Sequence, residues 1–483
     1  MIERHLAATV VCLAASLAAC GRKAGGGTAE ASPTPSATLP SAGVGNPAWD
    51  AEYPILGRRI HVATTGRDTG DGSEAAPLAS IRSAIERANP GDAVVIHAGT
   101  YREWVRVSRS GAPGAPIIVK GEGEVVVEDP GLPVWSHLWD GVFTFESCSW
   151  LVVTGIVVRN SHWFGFAAYH GSHLVFQNLR TFNTGASGLY VRESDAVTVR
   201  GTEVRKACYQ TRAATGGAGT QECISMASVE DFDVYGNEVL ESGAFGDSST
   251  GGEGIDAKEA CRRGRIHGNR VHDLDRLGIY VDSWDALLED VEVFGNRVWN
   301  TAAGFAVSSE AGGTARRVRI VNNVAFSNRE SGAIVSTWGE PGRADGPRED
   351  VSIVNNTFYS NGTAIWGGGI EIQTKNARRL IVRNNICSRN TMWQISIVDP
   401  SVAVVDHNLI DGYRGHSWIR ETRGEAFVEG DPLFVSPAGF DLHVKDGSPA
   451  LDNGSADGVP GDDCEGTTRP RRSGFDIGAY EKP

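Results

Sequence analysis

The sequence predicts an all-β solenoid, a single-stranded right-handed parallel β-helix with an N-terminal capping helix and a C-terminal cap. Glycine is abundant, 60 of 483 residues, with many Val, Ile, Asn and Thr and only 3 Met, the composition of a chain of short strands and turns. An apolar strand ending on asparagine recurs about every thirty residues, a spacing typical of repeat architectures. Between these units runs a second series of strands, each opened by glycine.

Taken in order, the chain begins with an apolar run, Leu6 to Leu17, behind Arg4 and His5. It is too short to span a bilayer and reads as an export signal over residues 1–20. Leu17-Ala18-Ala19-Cys20 resembles the bacterial lipobox, which implies lipid on Cys20, and Gly21 after it implies outer-membrane sorting. Residues 21–48 are Gly, Ala, Ser, Thr and Pro with hardly an apolar side chain, so they form a tether. The expectation is a monomer at the bacterial cell envelope, touching the membrane through the lipid on Cys20.

Residues 58–425 are expected to form the β-helix. Its lid is Ser80 to Ala88, with Ser at a helix start, apolar residues at helical spacing and Asn89-Pro90-Gly91 as the stop. The asparagine units end at Gly236-Asn237, Gly268-Asn269, Gly295-Asn296, Asn322-Asn323, Asn355-Asn356 and Asn384-Asn385. Stacked at about 4.8 Å, these asparagines make a ladder that satisfies backbone groups at a bend. Residues 426–483 are the expected C-terminal capping segment, with Arg469 to Arg472 as a tail. A net charge of −14 excludes nucleic acid as a partner. Setting aside Cys12 and Cys20, the six remaining cysteines, Cys148, Cys208, Cys223, Cys261, Cys387 and Cys464, fit no zinc spacing. Cys208 and Cys223 bracket a polar stretch and are the expected disulfide.

The opening His61 to Asp68, Ala76-Pro77, Ser80-Ile81, Pro90-Gly91-Asp92 and Ala98 to Glu103 resembles bacterial right-handed β-helix proteins of the pectate-lyase superfamily. Asp431 to Phe434, Gly447 to Ala450 and Asp476 to Glu481 resemble an ending these proteins often share. The resemblance spans residues 58 to 481 and implies the fold. Activity has to come from the residues, because such scaffolds serve lyases, hydrolases, epimerases and binders.

Among the glycine-led strands, alternation sends Ile255 and Ala257 inward and Asp256 and Lys258 outward. One turn on, Tyr280 and Asp282 point out, so Lys258 stacks on Asp282 and Asp256 on Tyr280. Glu253 precedes this patch, Trp284 follows it, and Glu310 lies one turn along. Trp284 and Trp338 supply flat rings suited to sugar faces. Arg192 occupies the Lys258 column two turns earlier, where it can grip a uronate or stand solvated. His267 and His272 are read as turn residues. The competing account is a solvated Lys258–Asp282 pair worth little, but the charges cluster where other strands carry Ala306, Ser308 and Ser336.

Glu253-Gly254-Ile255-Asp256-Ala257-Lys258 resembles strands of chondroitinase B and alginate lyase type enzymes. It is also similar to the Asp-Gly-x-x-x-Lys strand of lysine-base pectate lyases. The resemblance implies Lys258 as base, Glu253 and Asp256 as contacts for calcium, and an acidic polysaccharide cleaved by β-elimination. Asp282 and Arg276 depart from the families' patterns, and a carboxylate on Lys258 raises an amine pKa that a base needs lowered. Inverting glycoside hydrolysis remains open, because Asp256 and Asp282 are diagonal neighbours about 8 Å apart at Cα, within the range of about 6.5–9.5 Å for such pairs. In that reading Glu310 or Glu371 can replace either carboxylate. A non-catalytic polysaccharide binder is the third reading.

Overall fold

The computed structural model describes residues 53–131, 139–210, 219–242, 251–339 and 342–483. The export signal, Cys20 and the tether lie outside these residues. The chain winds as a parallel β-helix with three strands to a turn. One turn consists of Arg262–His267, Arg270–His272 and Ile279–Asp282, and the next of Leu287–Phe294, Arg297–Trp299 and Phe305–Ser308. The first two kinds of strand belong to a 25-stranded sheet and the third to an 11-stranded sheet. Turns pair in parallel, with Ile224 against Ile255, Ile255 against Ile279 and Ile279 against Phe305.

Alternation explains why these segments are strands. Ile255, Ala257, Ile279, Val281, Phe305 and Val307 face inward and are fully buried in one continuous core with Ile266, Val271, Val293 and Val298. Burying each such Val or Ile contributes about 1.5–3 kcal/mol. At the N-terminal end, the helix Ile81–Glu86 joins that core through Ile81, Ala84 and Ile85, and the Ser80 side chain accepts from the Ser83 N–H.

The asparagine ladder runs from Asn237 through Asn269, Asn296, Asn323, Asn356 and Asn385 to Asn408. The Asn269 N–H and Nδ2 donate to Asn296 Oδ1 at 3.0 and 2.9 Å, and its Nδ2 also donates to the Val234 carbonyl at 2.9 Å. The same pattern links the other rungs. The residue before each rung has a left-handed backbone, with φ of 60° at Gly268 and 55° at Asn322, a conformation that Gly and Asn adopt most readily. A second ladder, not anticipated, joins Thr301, Asn328, Asn361 and Asn390.

Residues 431–483 lie along the flank, where Phe434, Leu442, Ile477 and Tyr480 pack on Val324, Phe326, Ile386 and Leu409. This accounts for the change from Gly to Asn ahead of the later rungs. Asn322, Asn355 and Asn384 donate through Nδ2 to the carbonyls of Asp462, Asp476 and Ser455 at 2.7, 3.0 and 2.9 Å. Arg469 is not part of a tail: it is buried against Glu481 at 2.9 Å. The expected Cys208–Cys223 bridge is not formed, and both thiols are free. The two side chains nevertheless lie against each other, and each thiol also approaches a backbone carbonyl, Cys208 Sγ 3.2 Å from the Gln221 oxygen and Cys223 Sγ 3.8 Å from that of Gly252. Among the described residues, no helix is long and apolar enough to cross a membrane.

Candidate active site

The 11-stranded sheet brings the expected patch together. Asp256 pairs with Ser225 on one side and Tyr280 on the other, and Lys258 with Ala227 and Asp282. These are outward positions, yet Asp256 is 1% exposed and Asp282 4%, so the account of solvated surface charges does not hold.

The ammonium of Lys258 does not bind Asp282. It donates to Gln221 Oε1 at 2.7 Å and to both Glu222 oxygens at 2.9 and 2.7 Å. A lysine stem is long enough to reach back one turn, so backbone register alone does not choose its partner. Ser225 Oγ fixes Glu222 by donating to Oε2 at 2.7 Å. The sequence reading missed Glu222 because its strand opens with Cys223 rather than glycine. The signal was present all the same: Glu222-Cys223-Ile224 stands in register with Glu253-Gly254-Ile255.

Electrostatics crowd the patch. Burial, then the Glu222 charge, push the Asp256 carboxyl well above its usual range, against a counter-pull from Lys258. Its Oδ1 is buried without a hydrogen-bond partner. For Lys258, burial works to lower the pKa, but Glu222, Asp256 and Tyr190 outweigh it and hold the amine charged above its ordinary range. Asp282 is pushed up to about 8, by burial and then by Glu310, although the Trp284 and Glu310 N–H groups donate to its Oδ1 at 3.0 and 3.4 Å. Tyr280 donates to Glu310, and its ring meets Trp338 edge-on at 6.0 Å. Trp284 is half-buried directly beyond Asp282.

Three expected residues are engaged elsewhere. Glu253 accepts from Arg276 Nε and Nη2 at 2.9 and 2.6 Å, because Arg276 sits in the turn, outside the strand alternation. The Glu253–Asp256 pair expected for calcium is therefore not assembled: a guanidinium holds Glu253. Among the described residues, no three carboxylate, histidine or cysteine side chains converge in a metal-binding arrangement. Arg192 contacts Glu259 at 2.9 Å and Tyr190 Oη at 3.3 Å. Glu371 shares the Asp256 column but stands four strands away, about 19 Å at ordinary strand spacing. It accepts from Ser331 and Gln373 at 3.0 and 2.9 Å and cannot replace Asp256 or Asp282. A groove of about 530 Å³ on the other sheet is lined by Asp290, Glu292, Arg317, Arg319, Asp350 and Arg379. Those charges pair with one another in solvent, an arrangement worth little. His267 and His272 lie in that sheet, stacked on Phe294 and Trp299.

The profile described as "Pel9A-like, right handed beta helix region" matches residues 60–363, which include the whole patch. The chain belongs to the Pel9A-like β-helix family. The uncharacterized protein YwoF of Bacillus subtilis is 23% identical to this Pel9A-like chain over 456 residues, covering 82% of this chain and 92% of YwoF. Pectate lyase L of Dickeya dadantii is 23% identical over 346 residues, covering 68% and 71% of the two chains. The crystal structure of pectate lyase Pel9A superposes with a TM-score of 0.54 at 18% identity, covering 88% of this chain and 97% of that one. A likeness at that identity concerns the fold.

Proposed function

We propose that this protein is a polysaccharide lyase that cleaves a uronic-acid-containing glycan by β-elimination at Lys258. The observation that carries the reading is the placement of Lys258. It is the only lysine in the eleven strands of its sheet, it is largely buried, and it stands beside Asp256, Tyr280 and Asp282. In β-elimination the amine takes the proton from the carbon next to the uronate carboxyl. The freed electron pair forms a carbon–carbon double bond, the glycosidic C–O bond breaks, and the leaving oxygen is protonated by water. An amine acts this way only when neutral. Glu222 and Asp256 oppose that state, so the activity belongs at alkaline pH. Trp284 and Trp338 supply flat rings for the sugar faces, whereas Arg192 is held by Glu259.

One observation favours inverting hydrolysis instead. Asp282, with a pKa raised to about 8, carries a proton at neutral pH as a general acid requires and lies diagonal to Asp256, although burial and Glu222 oppose the ionised form that Asp256 would need as the base. Digestion of polyuronates and neutral glycans separates the two. An ultraviolet-absorbing unsaturated product supports elimination, and new reducing ends without that absorbance overturn it in favour of hydrolysis. We place the protein at the cell envelope, held by lipid on Cys20. A Cys20→Ser chain that remains in the membrane fraction after a carbonate wash would overturn that placement.

A further inference from the structure

The same sheet continues past Lys258 to a second cluster of aromatic rings, this time in water. Ile365 is 85% exposed, Trp418 61% and Trp366 42%. Trp366 lies edge-on to the buried Trp393 at 5.0 Å and 6.4 Å from Trp418, and its side chain lies near the Glu371 carboxylate. Exposed apolar side chains on loose loops would need little explanation, but these loops are pinned. Thr391 holds the Trp366 loop by donating from its N–H to the Asn361 carbonyl at 2.8 Å and from Oγ1 to that of Gly362 at 2.9 Å. The Trp418 loop wraps around Glu421, which accepts from the Gln394, Arg414 and Gly415 N–H groups at 3.0, 3.0 and 2.7 Å.

The exposed charge beside the rings is positive, on a chain of net charge −14. Arg414 and Arg420 are exposed and donate to the backbone carbonyls of Gly412 and Val398. Glu421 is consumed by the loop. Asp399 lies within electrostatic reach of Arg420, but Lys375 shares it. Flat rings beside guanidinium groups that close no ion pair among the described residues suit the apolar faces and carboxylates of an acidic sugar chain.

We propose that Trp366 and Trp418, with Arg414 and Arg420, form a second glycan-binding site. It takes anionic sugar residues several units along the chain from those at Lys258, since Glu371, which Trp366 lies near, stands about 19 Å from Asp256. This rests on the uronate reading above, but binding can be measured without turnover. The test is retardation of the full chain in native gels cast with polygalacturonate, alginate or chondroitin sulfate. The comparison uses the Trp366→Ala/Trp418→Ala double variant, Arg414→Gln/Arg420→Gln, and the inactive Lys258→Arg. Expected are retardation by at least one glycan, an apparent affinity at least about fivefold weaker in both double variants, and unchanged retardation in Lys258→Arg. If the protein also proves inactive on every glycan, the lyase reading fails and this site stands. No retardation by any of the three glycans, or equal retardation of the Trp double variant with its fold intact, overturns the proposal. So does light scattering that shows a wild-type dimer which the Trp double variant turns into a monomer, because the rings then serve a second copy of the chain.

Discussion

The asparagine ladder and the Lys258 patch are both rows of buried polar side chains, one in each sheet, and they are built on opposite terms. Along the ladder every member is neutral and every donor meets an acceptor: Asn269 Nδ2 bridges the Val234 carbonyl and the next rung. In the patch the members are ionisable, acids outnumber the single lysine, and Asp256 Oδ1 has no partner. A buried polar group left unmet costs roughly 1–3 kcal/mol, and more when charged. The ladder lowers the energy of the fold, whereas the patch raises it, and a fold carries such a cost where chemistry is done.

The comparison breaks most sharply at Lys258. Lys258→Arg keeps the positive charge that Glu222 needs but cannot become a neutral base. We expect kcat to fall by about a hundredfold or more with melting temperature nearly unchanged. Near-normal turnover would leave the patch as structural as the ladder.

Glu222→Gln sharpens it. Glu222 is the largest influence raising the Lys258 pKa, so its removal lowers that pKa. The neutral fraction then rises about tenfold for each unit of lowering, and the acid limb of the rate–pH profile moves to lower pH. A limb that stays in place would show that Lys258 is not the titrating group.

The ladder answers to a different readout. Asn296→Ala strands the Asn269 N–H and the Ile266 carbonyl, and should cost roughly 1–3 kcal/mol of stability with turnover per folded molecule unchanged. Lost activity at wild-type stability would move Asn296 into the site.

A pH-dependent effect concerns Asp282. Its folded pKa of about 8 lies above its unfolded value of about 4. Between those limits the folded state holds a proton that the unfolded state has lost, so stability declines as pH rises through that window. Asp282→Asn has no proton to lose. Its stability relative to wild type should improve from pH 4 to pH 8, by at most about 1.4 kcal/mol per pH unit. Parallel curves for the two proteins would place the charge elsewhere.

Periodicity made the fold legible. The Gly-Asn and Asn-Asn pairs mark one bend per turn, and strand alternation put Asp256, Lys258, Tyr280 and Asp282 on one face. The second ladder was equally readable, since Asn328, Asn361 and Asn390 each follow a first-ladder rung by five residues. What alternation could not supply was the direction of long side chains and the contents of turns. Lys258 reaches back to Glu222, and Arg276 takes Glu253 from outside the strands. Glu371 has the right column and the wrong distance, because column membership says nothing about how many turns intervene.

In a stack whose turns touch only their neighbours, a break can open at one turn and spread no further. Asn322, Asn355 and Asn384 remove that freedom, since each is tied to the same returning segment, residues 431–483. Three turns that would otherwise fray singly must open together, much as a splint makes separate slats bend as one board. That segment is also synthesised after the turns it spans, so they stay uncoupled until it has emerged.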